Sequence, residues 1–260
     1  MDQVAIYTLF SGSSGNCTYV KCGETAFLID AGASRKAIAT ALEKIGASLK
    51  EIAAIFVTHE HSDHIKGIKM LAKYDRIPIY IAPASRGALA EVDECLIRPL
   101  RHPDTVTLGE VTVSSFVTCH DSLSSCGYTV SYRGERFGYA TDIGKPTTAV
   151  TDALQGCRAV ILEANYDRIM LKYGPYPQML KARIQGSYGH MDNDTCAAFC
   201  SFLSKTGTKK VLLAHLSAEN NTPEAAETTV MKRLQEEDLT LDVAVAKRYE
   251  PTELITLPLC

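Results

Sequence analysis

A histidine-rich turn constrains this chain more than any other stretch. It reads Thr-His-Glu-His-Ser-Asp-His over residues 58–64, after the apolar run 55–57 and before a helix-like segment over residues 65–71. Three of the seven histidines of the chain fall in this turn. His59 and His61 are two residues apart, so at the end of a strand their side chains share a direction. The pattern predicts a metal site, because imidazole and carboxylate groups suit Zn, Mn or Fe.

The composition favours a soluble cytoplasmic protein with a sizeable core. The chain has 260 residues, 46% of them hydrophobic, and we predict a single domain over residues 1–260. No apolar run is long enough to span a bilayer, and residues 1–6 lack the layout of a signal peptide. Nine cysteines without a Cys-x-x-Cys pair indicate reduced, mostly buried thiols. We therefore expect a cytoplasmic location and no membrane partner.

Other candidate ligands come at the ends of predicted strands. These strands are residues 25–29, 111–117, 136–141 and 211–214, and they are followed by Asp30, His120, Asp142 and His215. A carboxylate at the tip of a buried strand is costly unless it is paired. His120 is the natural third ligand beside His59 and His61, and Asp142 can bridge two ions. Asp30 can support the site or cap the next helix, although Ser34 is the better cap.

The remaining pattern predicts two β-sheets faced with helices. Amphipathic helices are expected over residues 34–45 and 223–237, a helix opened by Pro83 is expected to run to about Val92, and the last strand is expected over residues 241–246. The fold class is therefore α/β.

The His-x-His-x-Asp-His turn resembles the signature of the metallo-β-lactamase superfamily. The resemblance implies a four-layer αβ/βα sandwich and a hydrolase with two divalent metal ions, Zn, Mn or Fe. It also implies that Asp30 orients the histidine turn without itself binding a metal ion. The implied ligands are His59, His61 and His120 for one ion, Asp63, His64 and His215 for the other, and Asp142 as the bridge. Two ions about 4 Å apart share a water and lower its pKa, so a hydroxide would be the nucleophile.

Further segments look like the YycJ/WalJ-like nuclease group of this superfamily. They are residues 11–16, 176–184, 189–190 and 215–221. This resemblance implies a metal-dependent phosphodiesterase, a DNA exonuclease acting from 5′ ends. The candidate catalytic residues are Asp63 and His190, and the candidate substrate-binding residues are Ser14, Asn16, Lys181, Arg183 and Ser217. Tyr166 stands where this group is expected to carry a histidine, so the substrate grip there is expected to differ.

Several alternatives remain open at the level of sequence. The net charge of −3 favours a small-molecule hydrolase, either a thioesterase of the glyoxalase II type or a cyclic phosphodiester hydrolase. A metal-binding regulator without turnover is a third possibility. The basic and aromatic stretch over residues 167–193 can hold phosphates and bases, or it can be an ordinary solvated helix and loop. His190 can be a general acid, a phosphate ligand or a structural residue. The oligomeric state is open.

Overall fold

Two seven-stranded mixed sheets carry the helices of the chain, and the computed structural model describes residues 3–258. The strands, in chain order, are β1 (Gln3–Phe10), β2 (Cys17–Cys22), β3 (Thr25–Ile29), β4 (Ile52–Phe56), β5 (Ile79–Ile81), β6 (Ile97–Pro99), β7 (Thr105–Leu108), β8 (Val111–Val117), β9 (Cys126–Tyr132), β10 (Glu135–Ala140), β11 (Ala159–Glu163), β12 (Lys210–Ala214), β13 (Asp242–Val245) and β14 (Thr252–Pro258).

The helices are α1 (Arg35–Lys44), α2 (Ser62–Ile65), α3 (Ile68–Asp75), α4 (Thr148–Leu154), α5 (Arg168–Tyr173), α6 (Gln178–Gln185), α7 (Asn193–Lys205) and α8 (Pro223–Glu236). Short 3-10 turns lie at Leu49–Glu51, Pro83–Leu89 and Glu94–Leu96. The first sheet has the order β14-β1-β2-β3-β4-β5-β6, and the second has the order β13-β12-β11-β10-β9-β8-β7.

The described residues form two compact units. The first unit contains the residues up to 113, residues 122–125 and the residues from 247 onward. The second unit contains residues 114–121 and 126–246. The assignment of residues 1–260 to one domain stays a prediction.

The core of the first unit lies between its sheet and helices α1 and α3. Strands β3, β4, β5 and β6 are parallel neighbours. Helix α1 begins where the Ser34 side chain accepts a hydrogen bond from the Ala37 N–H. Its fully buried Ile38 and Leu42 belong to one apolar cluster with Leu71 of α3. Each such side chain contributes about 1.5–3 kcal/mol of hydrophobic stabilisation. This packing fixes the end of β4, where the histidine turn begins.

In the second unit, helices α4, α7 and α8 pack against the sheet as α1 and α3 do in the first unit. Strands β10, β11, β12 and β13 run parallel, and their apolar side chains share a buried cluster with these helices. Helix α7 begins at Asp192, whose side chain accepts the N–H groups of Asp194 and Thr195. Carboxyl ends of parallel strands meet at one edge of a sheet, and the candidate residues of this unit follow β10, β11 and β12.

Two sequence expectations about elements need correction. The segment opened by Pro83 forms 3-10 turns to Leu89 rather than an α-helix to Val92. Strand β13 is not the last, because β14 follows it and pairs antiparallel with β1. Helices α1 and α8 match the predicted segments within one residue at each end.

Candidate metal centre

The histidine turn brings three imidazole rings together in the first unit. His59 and His64 are buried, and His61 is the N-cap residue of α2. The centroid of the His59 ring lies 4.5 Å from that of His61 and 4.1 Å from that of His64. The Nε2 atom of His64 is 3.4 Å from Oδ2 of Asp63. One turn of chain therefore presents three imidazoles and a carboxylate, as its spacing predicts.

Asp30 fixes which nitrogen these histidines present. It is fully buried, and its carboxylate accepts the Thr58 N–H at 2.8 Å, the Thr58 hydroxyl at 2.9 Å and Nδ1 of His64 at 2.7 Å. A carboxylate only accepts, so Nδ1 of His64 carries the proton and Nε2 is the ligand atom. Thr58 holds His59 in a similar way, because Oγ1 of Thr58 lies 3.0 Å from Nδ1 of His59. Burial raises the pKa of Asp30, although the contacts with His64 and Thr58 lower it.

Asn16 lies against two of the predicted ligands. Its Nδ2 is 3.1 Å from Oδ2 of Asp63 and 3.0 Å from Nε2 of His64. Its backbone N–H donates to the Asp63 carbonyl at 2.7 Å. Gly32 allows this approach, since a Cβ there would lie 1.6 Å from the Asp63 carbonyl oxygen. The loop over residues 11–16 therefore packs against the histidine turn.

Glu60 belongs to the same turn, and the sequence analysis assigned it no role. Its carboxylate accepts the Ser85 hydroxyl at 2.6 Å and the Leu123 N–H at 2.7 Å. Burial alone would raise the pKa of Glu60, but these two donors outweigh it and lower the pKa. Glu60 therefore ties the histidine turn to two neighbouring segments of the same unit. The position of Glu60 inside the histidine motif was the sequence signal from which this role could have been inferred.

The second unit gathers a cluster of two carboxylates and two imidazoles. One possible ligand atom from each of Asp142, Glu163, His190 and His215 lies within 4.8 Å of those of the others. His120 joins them, because its Nε2 is 3.6 Å from Oδ1 of Asp142. The predicted residues of this unit therefore come together at the ends of their strands.

Glu163 organises this cluster, and the sequence analysis missed it. It is fully buried at the end of β11. Its Oε1 accepts Nδ1 of His190 at 2.8 Å and Nδ1 of His215 at 2.9 Å, and its Oε2 accepts the N–H groups of Ile143 and Met191. Burial would raise the pKa of Glu163, but the histidines outweigh it and lower the pKa to about 2. An acid at the tip of a buried strand was the available signal, as for Asp30.

His120 and His190 differ in what holds them. Nδ1 of His120 donates to the Gly189 carbonyl at 3.0 Å, so its Nε2 is the outward atom. His190 rests on Glu163, and its ring centroid lies 5.1 Å from that of His120 and 5.3 Å from that of His215. Burial would lower the pKa of His190, but Glu163 and Asp142 raise it above its usual value. A protonated His190 is therefore favoured beside the predicted ligands.

The candidate substrate residues have mixed positions. Lys181 is only 8% exposed, and its ammonium donates to the carbonyls of Lys172 and Gly174 at 2.8 Å. The ammonium therefore caps the end of α5, and a substrate contact by Lys181 stays a prediction. Ser217 is also buried, and its hydroxyl accepts the Asn220 N–H at 3.2 Å in a turn.

The other two candidates and the unusual tyrosine lie as follows. Arg183 is exposed and forms an ion pair with Asp121. The Ser14 hydroxyl donates to the Tyr249 hydroxyl at 3.4 Å on the surface. Tyr166 is buried, and burial raises its pKa to about 12. Its backbone forms a bridge with Asp192, so its side chain belongs to the interior.

Three residues of the centre have left-handed backbone conformations. Asp30, Asp142 and His215 have φ values of 60°, 57° and 58°. In the described chain only three other non-glycine residues have positive φ, at Arg76, Arg133 and Asp238. Such conformations cost about 1–3 kcal/mol each and persist only when the surroundings impose them. Three of the six non-glycine residues with positive φ in the described chain are thus predicted metal ligands or the residue that supports them.

The donor set fits divalent metal ions. Imidazole and carboxylate oxygen without thiolate suit Zn, Mn and Fe. His59, His64, His120 and His215 all have Nδ1 within hydrogen-bond distance of a hydroxyl, carboxylate or carbonyl oxygen. Metal-bound histidines almost always show this arrangement, which leaves Nε2 as the ligand atom. His and Asp residues are therefore positioned to bind metal.

No helix in residues 3–258 is long and apolar enough to cross a membrane.

Comparisons with known proteins agree with this geometry. Residues 25–216 match the family model described as a beta-lactamase superfamily domain. The chain is 33% identical to "Exodeoxyribonuclease YycJ" of Bacillus anthracis, over 88% of each chain, and 33% identical to "Exodeoxyribonuclease WalJ" of Streptococcus pneumoniae, over 90% of each. The crystal structure of the metallo-beta-lactamase fold protein YhfI from Bacillus subtilis superposes with a TM-score of 0.74, at 16% identity, over 97% of this chain and 100% of that one. A diphosphatase from the PhnP family superposes with a TM-score of 0.67, at 19% identity, over 99% of each chain. The predicted α/β fold class and the resemblance are confirmed.

Proposed function

Because the chain belongs to the β-lactamase superfamily, we propose that it is a metal-dependent phosphodiesterase that shortens DNA as an exonuclease from 5′ ends. Two relatives at 33% identity over about nine-tenths of the chain are named exodeoxyribonucleases. The proposal of a phosphodiesterase rests on the position of His190, which adds a proton donor beside the predicted metal ligands. Its Nδ1 rests on Glu163, and Asp142 lies 3.8 Å from the same nitrogen.

The proposed ligand assignment follows the signature of the family. One ion takes His59, His61 and His120, the other takes Asp63, His64 and His215, and Asp142 bridges the two. The support from the geometry is separate for each unit: the histidine turn presents its ligands through Asp30, and the second unit presents its ligands through Glu163. A cytoplasmic location is part of the same proposal.

Divalent ions, when bound, supply an activated water and stabilise charge that develops on the phosphate. The protein's own groups do the rest. Asp30 holds the proton on Nδ1 of His64, and Glu163 holds the proton on Nδ1 of His215. Glu163 is anionic and buried, so it favours the protonated form of His190. Nε2 of His190 can then deliver a proton to the leaving oxygen, a step worth about 10²–10⁴-fold in rate.

The test is hydrolysis by purified protein loaded with Mn or Zn. The substrates are linear duplex DNA labelled at the 5′ or the 3′ end, a small phosphodiester and a thioester. Asp63→Ala is the matched inactive control, because Asp63 is a predicted ligand whose side chain is only 21% exposed. Progressive loss of DNA from the 5′ end, absent in the control, supports the proposal. Intact DNA together with turnover of a small ester would contradict it and favour the small-molecule hydrolase.

A further inference from the structure

Helices α5 and α6 cover the second unit while burying almost nothing. The only buried residue of α5 is Leu171, and the only buried residue of α6 is Lys181. Lys181 links the two helices through its bonds to the backbone carbonyls of Lys172 and Gly174. Helices in a stable domain usually bury an apolar stripe. This pair therefore has a large outer face available for a partner.

That outer face is both apolar and basic. We define the α5–α6 surface as the exposed residues Arg168, Ile169, Lys172, Tyr173, Met179, Arg183 and Tyr188. The described chain exposes ten large hydrophobic side chains, and four of them lie within residues 169–188. Tyr173 is 76% exposed and Tyr188 is 63% exposed. Exposed apolar clusters of this kind mark interaction sites.

The charge of the segment points to a polyanion. Residues 167–190 contain four Lys or Arg residues and one acidic residue, whereas the whole chain has 27 basic and 30 acidic residues. Two of these four cations are ion-paired, Arg168 with Asp192 and Arg183 with Asp121. The Lys172 ammonium lies 5.3 Å from the centroid of the Tyr173 ring, so a cation and an aromatic face are presented side by side. A cleft of about 660 Å³ lies beside them, and its lining includes Arg168, Lys172 and Lys181 as well as the carboxylate of Asp192. Basic groups with exposed aromatic rings suit a single nucleic-acid strand.

The surface is attached rigidly to the predicted metal residues of the same unit. Its segment follows Glu163 and ends at His190, which Glu163 holds. A Cβ on Gly144, two residues after Asp142, would lie 2.1 Å from the Ser187 carbonyl oxygen, so the two backbones are in direct contact. The segment that carries this surface therefore leads directly to His190.

We propose that the α5–α6 surface binds an unpaired DNA strand and guides its end to His190. Bases stack on Tyr173 and Tyr188, and phosphates lie near Lys172, while Arg183 reaches a phosphate by exchanging its ion pair with Asp121. This inference rests on the proposed function, because it names how the substrate of that site is held. It also places the strand on a surface separate from the residues that bind metal.

Binding tests the proposal without relying on turnover. The probe is a fluorescent single-stranded oligonucleotide with phosphorothioate linkages, which resist cleavage, and its anisotropy is followed with metal-loaded protein. We expect Tyr173→Ala combined with Tyr188→Ala to weaken binding by at least about 30-fold, because each lost stacking contact weakens binding about 5-fold or more. Lys172→Gln is expected to lower the slope of log Kd against log salt by about 0.7.

Tyr74 offers a matched control in the other unit. It is 59% exposed, and Lys73 lies 5.3 Å from its ring centroid, as Lys172 does from Tyr173. Tyr74→Ala should bind the probe as the wild type does. An equal loss in Tyr74→Ala would overturn the proposal, because any exposed tyrosine beside a lysine would then have the same effect.

Other outcomes separate this inference from the proposed function. If the wild type shortens DNA while the double tyrosine variant binds and shortens it equally well, only the inference fails. If the wild type hydrolyses a small phosphodiester but neither binds nor shortens DNA, the proposed function fails and this inference with it. Sedimentation of a wild-type dimer that the double variant converts to monomer, with unchanged DNA affinity, would assign the surface to a second copy of the chain.

Discussion

Replacing Asp30 by asparagine tests how the protein prepares the histidine turn. Asparagine has the same shape and tolerates the left-handed conformation at φ 60°, so the backbone can stay in place. The carboxylate accepts three hydrogen bonds, two from Thr58 and one from His64. The amide can accept with one atom only, and its NH₂ group meets donors at the other position.

The size of the effect follows from the proton on His64. With an NH₂ group facing it, Nδ1 of His64 becomes the acceptor, and the proton moves to Nε2, which is the ligand atom. Metal binding must then displace that proton or rotate the ring. Losing such a supporting contact typically costs 10–100-fold in metal affinity. We therefore expect metal affinity of Asp30→Asn to fall by about 1.4–2.7 kcal/mol.

Metal affinity is measured by competition with a chromogenic chelator, and metal content by elemental analysis. Asp242→Asn is the control, since that side chain is 61% exposed and forms an ion pair with Lys210 at the β13 edge of the second sheet. The control should bind metal as the wild type does. Wild-type affinity in Asp30→Asn, with a folded protein by thermal unfolding, would refute the idea that Asp30 sets the ligand atom of His64.

Three further outcomes are expected. His190→Ala should keep its metal content and lose about 10²–10⁴-fold in kcat on phosphodiesters; an unchanged rate, measured beside metal analysis, would make His190 structural. Lys181→Met should lower stability by about 2–3 kcal/mol in thermal unfolding, because two carbonyls lose a charged donor; unchanged stability with weaker DNA binding would restore Lys181 as a substrate contact. Gly144→Ala should lower the melting temperature, because its Cβ meets the Ser187 carbonyl and relief of such overlap costs about 1–3 kcal/mol; an unchanged melting temperature would show that this contact can relax.

The predicted metal residues could be found from sequence because strand ends are easy to locate. Asp30, Asp142 and His215 each follow an apolar run, and parallel strands bring their ends to one edge of a sheet. Glu163 follows the run 159–162 in the same way. Its role could therefore have been inferred by the reasoning already applied to Asp30. What sequence does not contain is the pairing of Glu163 with both His190 and His215.

Lys181 shows where a local pattern misleads. A lysine in a polar helix reads as a solvated charge, which favours a role at the surface. Its actual partners are backbone carbonyls seven and nine residues earlier in the chain, and only the tertiary fold brings them within 2.8 Å. Strand β14 was missed for a related reason. Its partner β1 lies at the opposite end of the chain, so no local signal shows that the pairing exists.

The left-handed residues of the centre have a consequence for protein engineering. At Asp30, Asp142 and His215 the backbone suits glycine or asparagine better than the residue present. A screen that selects variants for heat resistance alone would therefore enrich glycine or asparagine at these three positions. Each such substitution would remove a predicted ligand or its support, so we expect the variants selected for heat resistance to bind metal more weakly. Stabilisation of this enzyme should be sought elsewhere in the chain, with these three positions held fixed.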